Sequence, residues 1–308
     1  MKVSVIINNY NYEEFILESV ESVLSQDNIH DFISEIVIVD DGSTDASLDK
    51  LKKYKDNKYI KIVKKSNAGQ LSAFNKGFEY ISGDIVCFLD SDDLYKKDYV
   101  KKIVNFYKKY VDCDLLIVRK EFFGDENYTE ESRPTGSLGF SLLRSYYLKA
   151  WIGTSTSAFS IKKNILSKIL PLSLESDWIV RADDCIVWGS SLVGAKKYYL
   201  NDILVRYRVH GSNCYYGKEF NNDYNFRRTL NINRLFKEII EKNKIVISHK
   251  LFRFEYLSIA NKQINDIIVF SNILILLDSN TSFFTKLKLL FFIIRNYKKR
   301  LPPQNEII

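Results

Sequence analysis

The sequence predicts an α/β fold built on a doubly wound, mostly parallel central sheet flanked by helices, followed by a helical extension. Two features carry that expectation. Over the first 115 residues or so, short apolar runs rich in Val and Ile alternate with segments of helical periodicity, the pattern of strands joined by crossover helices. The run Ile85-Val86-Cys87-Phe88-Leu89 is apolar at every position, as befits a parallel strand buried on both faces.

In chain order, residues 3–8 read as the first strand and 13–25 as a helix with Ile16, Val20, Val23 and Leu24 on one face. A second strand over 35–39, a short helix over 46–54, a third strand over 60–63, a helix over 71–81 and a fourth strand over 85–89 follow. Helical pattern covers 94–110, and 115–119 reads as another strand. The polar stretch 121–137 holds Gly124, Pro134 and Gly136, which predicts a flexible loop or lid. Beyond it, 141–149 reads as a helix, 158–161 as a strand, 178–193 as containing a helix, and 198–200 and 204–209 as two strands. Strand signals stop near Gly217, after which 226–243 and 249–277 read as helices. Three parts result: residues 1–115, 116–215 and 216–308.

A chain of 308 residues can bury one large core or two modest ones, and 46% hydrophobic with 27% charged residues is ordinary for a soluble globular protein. Cys87, Cys113, Cys185 and Cys214 are widely spaced with no C-x-x-C pair, so neither a zinc site nor a disulfide framework is indicated and a reducing compartment is expected. The start of the chain shows no basic segment followed by a long apolar one, the mark of a secretory signal. The net charge of +7 is uneven: residues 216–308 hold 16 Lys and Arg against 8 Asp and Glu, while the first 215 hold 29 against 30. A near-neutral body with a basic extension points to an anionic surface as the extension's partner.

The chemistry concentrates at strand ends. Asp90-Ser91-Asp92-Asp93 follows the 85–89 strand directly, and carboxylates so crowded repel one another unless a cation lies among them. Hard oxygen ligands suit Mg²⁺ or Mn²⁺, ions that also hold substrate phosphates, and the open ends of strands are where α/β sheets place ligands. The simpler alternative is an acidic turn capping the next helix. The second strand runs into Asp40-Asp41-Gly42-Ser43-Thr44-Asp45, either a seat for a base or ribose or a capped turn. Asn67-Ala68-Gly69-Gln70 precedes the 71–81 helix, where its backbone amides can face a ligand. No G-x-S-x-G, H-E-x-x-H or G-x-G-x-x-G motif occurs.

Taken together, Ser4-Val5-Ile6-Ile7-Asn8-Asn9-Tyr10-Asn11-Tyr12, Val37-Ile38-Val39-Asp40-Asp41-Gly42-Ser43-Thr44-Asp45, Asn67-Ala68-Gly69-Gln70 with Asn75 and Gly77, and Asp90-Ser91-Asp92-Asp93 resemble the family 2 glycosyltransferases. These are inverting, nucleotide-sugar-dependent enzymes of the Rossmann-like A-type glycosyltransferase fold. The similarity covers about residues 3–110 and extends more weakly to about 214. It implies a donor site at Asn9, Tyr10, Asp40, Asp41, Asn67, Gly69, Gln70, Asp90 and Ser91, with Asp41 ahead of Asp40 on the base. Asp90 would face the ribose or the metal, and Asp92 would hold Mn²⁺ or Mg²⁺ directly.

The family draws its catalytic base from an acidic pair at the start of a helix, often Glu-Asp. Arg181-Ala182-Asp183-Asp184 resembles that pair. Asp184 is slightly ahead in the ordinary register, and Asp183 fits the variant in which a small residue precedes the acid. Arg206-Tyr207-Arg208-Val209-His210-Gly211-Ser212-Asn213 resembles a segment that follows the catalytic helix, so His210 is a candidate to complete the metal shell or touch the diphosphate; a packed histidine is the alternative. Thr154 and Ser155 are candidates for the acceptor side.

The function so implied is transfer from a nucleotide-diphosphate sugar, UDP-linked by default, to a saccharide or lipid-linked saccharide during bacterial surface polysaccharide synthesis, with the protein expected in the cytoplasm, either free or peripheral on the inner face of the membrane. Residues 1–115 would bind the donor and 116–215 the acceptor. The competing readings are a non-catalytic nucleotide-sugar-binding module, with Asp183 and Asp184 as helix caps, and a nucleic-acid arm in the extension, against which stands the lack of any nucleic-acid-binding motif. On a helical wheel of Phe283–Arg300, Phe283, Leu287, Leu290, Phe291, Ile294 and Tyr297 share one face, with Lys288, Arg295 and Lys299 opposite. Such a helix suits an anionic membrane surface or, alternatively, packs on the body.

Overall fold

Four strands, β1 (Val3–Asn9), β2 (Ile33–Asp40), β3 (Ile60–Lys64) and β4 (Ile85–Asp90), form a parallel wing in the order β3-β2-β1-β4. The computed structural model describes residues 1–259, 273, 275 and 282–300, with side chains described except at 249 and 296–300. The strands of the wing alternate between two apolar layers. Val5, Ile7, Ile36, Ile38, Cys87 and Leu89 enter one layer; Ile6, Val37, Val39, Val86 and Phe88 enter the other. Burial on both faces is what makes these strands unbroken apolar runs, and each fully buried Val, Ile or Leu contributes about 1.5–3 kcal/mol.

The second half of the sheet is mixed. β9 (Phe159–Lys162) lies antiparallel between β4 and β6 (Leu115–Gly124), and β6 pairs parallel with β10 (Lys197–Val209). Short strands β5 (Leu94–Tyr95), β7 (Tyr128–Thr129) and β8 (Gly136–Gly139) pair antiparallel with β10, β6 and β10. Three sequence expectations change here. The expected loop over 121–137 begins and ends in strand, with the short β7 between, because β10 pairs with β6 as far as Gly124 and with β8 from Gly136. The two strands expected over 198–209 are one, with register shifts between Leu200 and Val205 where Asn201 and Asp202 interrupt the apolar pattern. The helix expected from residue 94 begins at Tyr99, since Leu94 and Tyr95 are drawn into pairing with β10.

Helices cover the sheet and build the extension. Helix Asn222–Asn243 packs Ile232, Leu235, Phe236 and Ile239 into the layer that also holds Trp188 of helix Ala182–Leu192. Of the helix expected over 249–277, a 3₁₀ turn at His249–Leu251 and helix Phe252–Ser258 are observed; 260–272, 274 and 276–277 lie outside the described residues. Helix Phe283–Arg300 packs on the body through Leu289 and Ile293, against Leu142, Leu143 and Phe252. The apolar face expected from the wheel is only partly packed: Leu290 lies against the cluster, while Phe283, Phe291 and Ile294 are exposed. Among the described residues, no helix is long and apolar enough to cross a membrane.

A buried ion pair ties the extension to the body. The Glu255 carboxylate accepts from the amides of Leu143 (2.7 Å) and Arg144 (3.1 Å), the orphan donors at the start of helix Leu142–Leu148, and pairs with the Arg144 guanidinium at 3.3 Å. Removing one partner of such a pair strands the other. Glu255→Ala is expected to lower unfolding free energy by about 3–5 kcal/mol in denaturant titration, with Glu255→Gln intermediate; an unchanged midpoint would show that the extension is not anchored here.

Candidate active site

The register of the parallel wing aligns three strand ends. Asn8 stands beside Asp90 and Asn9 beside Asp40, so the carboxyl ends of β1, β2 and β4 open on one side. There they border a cleft of about 1080 Å³. Of the residues singled out in the sequence, Asn9, Tyr10, Asp41, Asn67, Gly69, Gln70, Asp90, Ser91, Asp92, Ser155 and Asp183 line it. Asp41 and Asp92 therefore share one hollow, and Asp183 faces the same space.

At the β2 end, the two adjacent aspartates separate in role. Asp40 is fully buried and accepts from Asn9 Nδ2 (2.8 Å) and the Ser43 amide (3.0 Å); it braces the turn rather than facing the cleft. Asp41 reaches the cleft wall while accepting from the amides of Ala68 (3.1 Å) and Gly69 (2.7 Å) and from Lys65 Nζ (2.5 Å). Asn9 Oδ1 is buried without a hydrogen-bond partner among the described residues, an acceptor left for a ligand.

The 67–70 turn is locked to the segment before helix Ala182–Leu192. The Gln70 amide donates to Ile179 O (2.8 Å) and the Leu71 amide to Trp178 O (3.2 Å). Gly69 sits at φ +91°, and a Cβ there would stand 2.4 Å from Ile179 Cα, so only glycine permits the approach. The Gln70 side chain donates to Asp90 Oδ1 (3.0 Å) and accepts from the Ala182 amide (2.9 Å), bridging the β4 acids and the start of the helix.

The acids after β4 are held individually. Asp93 is buried and accepts from Ser157 Oγ (2.6 Å) and the Arg208 amide (2.9 Å); burial, then the charges of Asp92 and Asp90, holds its carboxyl well above the usual range. Asp90 is pushed up to about 7, by burial and then by Asp92. Ser91 Oγ donates to Asn8 O at 2.5 Å, which fixes the turn. Asp92 Oδ2 lies 3.0 Å from His210 Nε2 and 3.4 Å from Asn213 Nδ2. The His210 ring packs on Phe15, at 4.8 Å between centroids, and its Nδ1 is buried without a hydrogen-bond partner among the described residues.

Among the described residues, no group of three or more His, Cys, Asp or Glu side chains forms a ready-made metal cage. The donors do fit a cation shared with a substrate. Asp92 and His210 present an oxygen and a nitrogen 3.0 Å apart, with Asp90 held close and repelled by Asp92. Mg²⁺ in particular is held by one or two carboxylates with substrate phosphates completing its shell.

On the opposite wall the two acids of helix Ala182–Leu192 part. Asp184, placed slightly ahead of its neighbour on sequence, is fully buried, with Arg181 (3.2 Å) and Arg228 (2.8 Å) on its carboxylate. It anchors the helix and does not line the cleft. Asp183 does, with Oδ1 accepting from the Asp184 amide (3.0 Å), which leaves the other oxygen for a ligand. Burial, then the Asp184 charge, raises its carboxyl to about 7.

Of the two hydroxyls expected on the acceptor side, Ser155 lines the cleft and Thr154 lies behind it; Lys120 Nζ bonds both, at 3.2 and 3.4 Å, and pairs with Glu130 at 3.0 Å. Lys120, Trp151, Ile179, Val180, Tyr207 and Tyr215 also line the cleft and were not expected. Lys120 had one signal: it is the second of two cations, after Arg119, that follow the apolar run 115–118. Tyr207 lies in β10 and the others in loops, and none of these had a local signal.

A sequence description of glycosyl transferase family 2 matches residues 4–170. An uncharacterized glycosyltransferase of Nostoc sp. is 34% identical over 218 residues, 69% of this chain and 66% of that protein. The putative teichuronic acid biosynthesis glycosyltransferase TuaG of Bacillus subtilis is 42% identical over 106 residues, 34% of this chain and 41% of TuaG. The chain thus spans just under two thirds of the first relative and well under half of the second. In fold, it resembles the crystal structure of S. aureus TarS 1–349 in complex with UDP-GlcNAc, at a TM-score of 0.55 and 19% identity, covering 97% of this chain and 73% of that one.

The packing at Gly69 is directly testable. Gly69→Ala is expected to cost about 1–3 kcal/mol by forcing the 67–70 turn away from Ile179, lowering the thermal unfolding midpoint. An unshifted midpoint would show that the two segments are not locked.

Proposed function

The chain belongs to glycosyl transferase family 2, and from that premise we propose that its cleft moves a sugar from a UDP-sugar to a hydroxyl of a saccharide or lipid-linked saccharide, with inversion at the anomeric carbon. The setting is bacterial surface polysaccharide synthesis on the cytoplasmic side, peripheral to the membrane, where lipid-linked acceptors reside. The UDP-GlcNAc complex of TarS supports the donor class, and the role assigned to TuaG supports the setting. One observation carries the reading: Asp41, Asp92 and Asp183 line a single cleft.

In this reading the exposed face of Tyr10 receives the base, while Asn9 Oδ1 and Asp41 accept from donor N–H and O–H groups. Asp92 and His210, with Asp90 beside them, would hold Mn²⁺ or Mg²⁺. Such an ion supplies Lewis-acid stabilisation of the departing diphosphate. Asp183 takes the proton from the acceptor hydroxyl as that oxygen attacks the anomeric carbon. A carboxyl raised to about 7 is a stronger base than an ordinary aspartate, and about half of it is ionised at neutral pH. Ser155 and Lys120 contact the acceptor.

Asp183→Asn is expected to cut kcat by about 10²–10⁴-fold while leaving donor affinity by calorimetry within about twofold. Unimpaired transfer would remove Asp183 from the base role, and donor binding without transfer by the native chain would leave a binding module. The base must be ionised, so kcat/KM should fall about tenfold per pH unit below about 7; a flat profile across that range would rule out this assignment. Asp92→Ala should abolish the Mn²⁺-dependent part of UDP-sugar binding. Equal titrations with and without Mn²⁺ in the native chain would instead exclude the proposed ion.

A further inference from the structure

Helix Phe283–Arg300 carries two apolar faces, and packing uses only one. Leu289 and Ile293 point into the cluster with Leu142, Leu143 and Phe252. On the other side, Phe283 (70% exposed), Phe284 (75%), Phe291 (71%) and Ile294 (44%) stand in solvent. At 100° per residue, Phe284, Lys288, Phe291 and Arg295 fall in one stripe, so cations border the exposed rings directly. Phe254, on helix Phe252–Ser258, adds another ring at 70% exposure. Between the two helices lies a shallow groove of about 260 Å³, bordered by Lys250, Arg253, Thr285, Lys288 and Leu289.

Among the described residues of the two helices, the exposed charge is of one sign. Helix Phe283–Arg300 contains no acidic residue, and Glu255, the only acid of helix Phe252–Ser258, is turned inward to Arg144. A second copy of the chain would bring like charges together in a two-fold contact, so the face disfavours self-association. Exposed phenylalanines beside unneutralised Lys and Arg suit the boundary of a bilayer, where rings enter the acyl edge and cations meet phosphate.

We propose that this face, formed by Phe254, Phe283, Phe284, Phe291 and Ile294 around the Lys250–Arg253–Lys288 groove, docks on an anionic lipid bilayer. It gives the peripheral-membrane part of the proposed function a specific surface, yet it stands apart from the transfer chemistry. Phosphate headgroups would occupy the groove while the phenylalanines sink to the acyl boundary.

The test is co-sedimentation of the full chain with vesicles of phosphatidylcholine alone or with phosphatidylglycerol added, at low and high salt. Binding is expected to phosphatidylglycerol vesicles and to weaken with salt. Lys288→Glu with Arg295→Glu should weaken it by roughly thirtyfold. Phe284→Ser with Phe291→Ser should weaken it by about tenfold or more. Both double variants change exposed side chains, so their unfolding midpoints and their turnover with a water-soluble acceptor should match the parent, which separates failure here from failure of the transfer reading. No vesicle binding, binding indifferent to phosphatidylglycerol, or variants that bind like the parent would overturn the proposal. So would light scattering that shows a dimer dissolved by the phenylalanine variants, since the occupant would then be a second copy.

Discussion

Three carboxylates within four residues at the tip of β4 cannot all stay charged in a half-dry cleft unaided. Two like charges about 4 Å apart near a protein surface repel by about 4 kcal/mol, on the order of three pH units. The surroundings answer each acid separately. Asp93 is withdrawn onto Ser157 and Arg208, Asp92 is placed against His210 and Asn213, and Asp90 is left with Gln70. Most of the second half of the sheet takes part, since Ser157 precedes β9 while Arg208 lies in β10. Relief of this repulsion is what a cation would bring, and a cation so held could then meet the negative charge of a diphosphate.

The same demand makes the cleft a single mechanical unit. Gln70 joins Asp90 to the Ala182 amide through one side chain, and the 67–70 turn lies against Ile179 with no room for a Cβ. A shift of the β4 acids therefore reaches the helix that carries Asp183 through two rigid links. Arg228, from the first helix of the extension, closes the far side by pairing with Asp184.

Much of this was readable before any coordinates. Strands buried on both faces announce themselves as unbroken apolar runs, and acids at their ends mark the open edge of a sheet. The choice between neighbours was harder. Asp40 and Asp41 sit at the point where β2 ends and the chain turns, so which one meets the cleft depends on the path of that turn. Asp183 and Asp184 differ by 100° around a helix, and the arginines that neutralise Asp184 come from positions 181 and 228. Sequence order also cannot say which of two apolar faces a helix spends on packing, as Phe283–Arg300 demonstrates. Trp151, Tyr207 and Tyr215 line one cleft from two loops and a strand set apart in the chain, a fact with no local signature.

The two sides of the cleft differ in how tightly they are bound into the rest of the molecule. Asp40, Asp41, Asp90 and Gln70 each hold two or more elements together, so exchanging any of them disturbs architecture as well as chemistry. Across the gap, Trp151, Ile179, Val180 and Tyr215 form an exposed rim. Substitution at that rim therefore reshapes the mouth of the cleft while its acidic floor stays as it is.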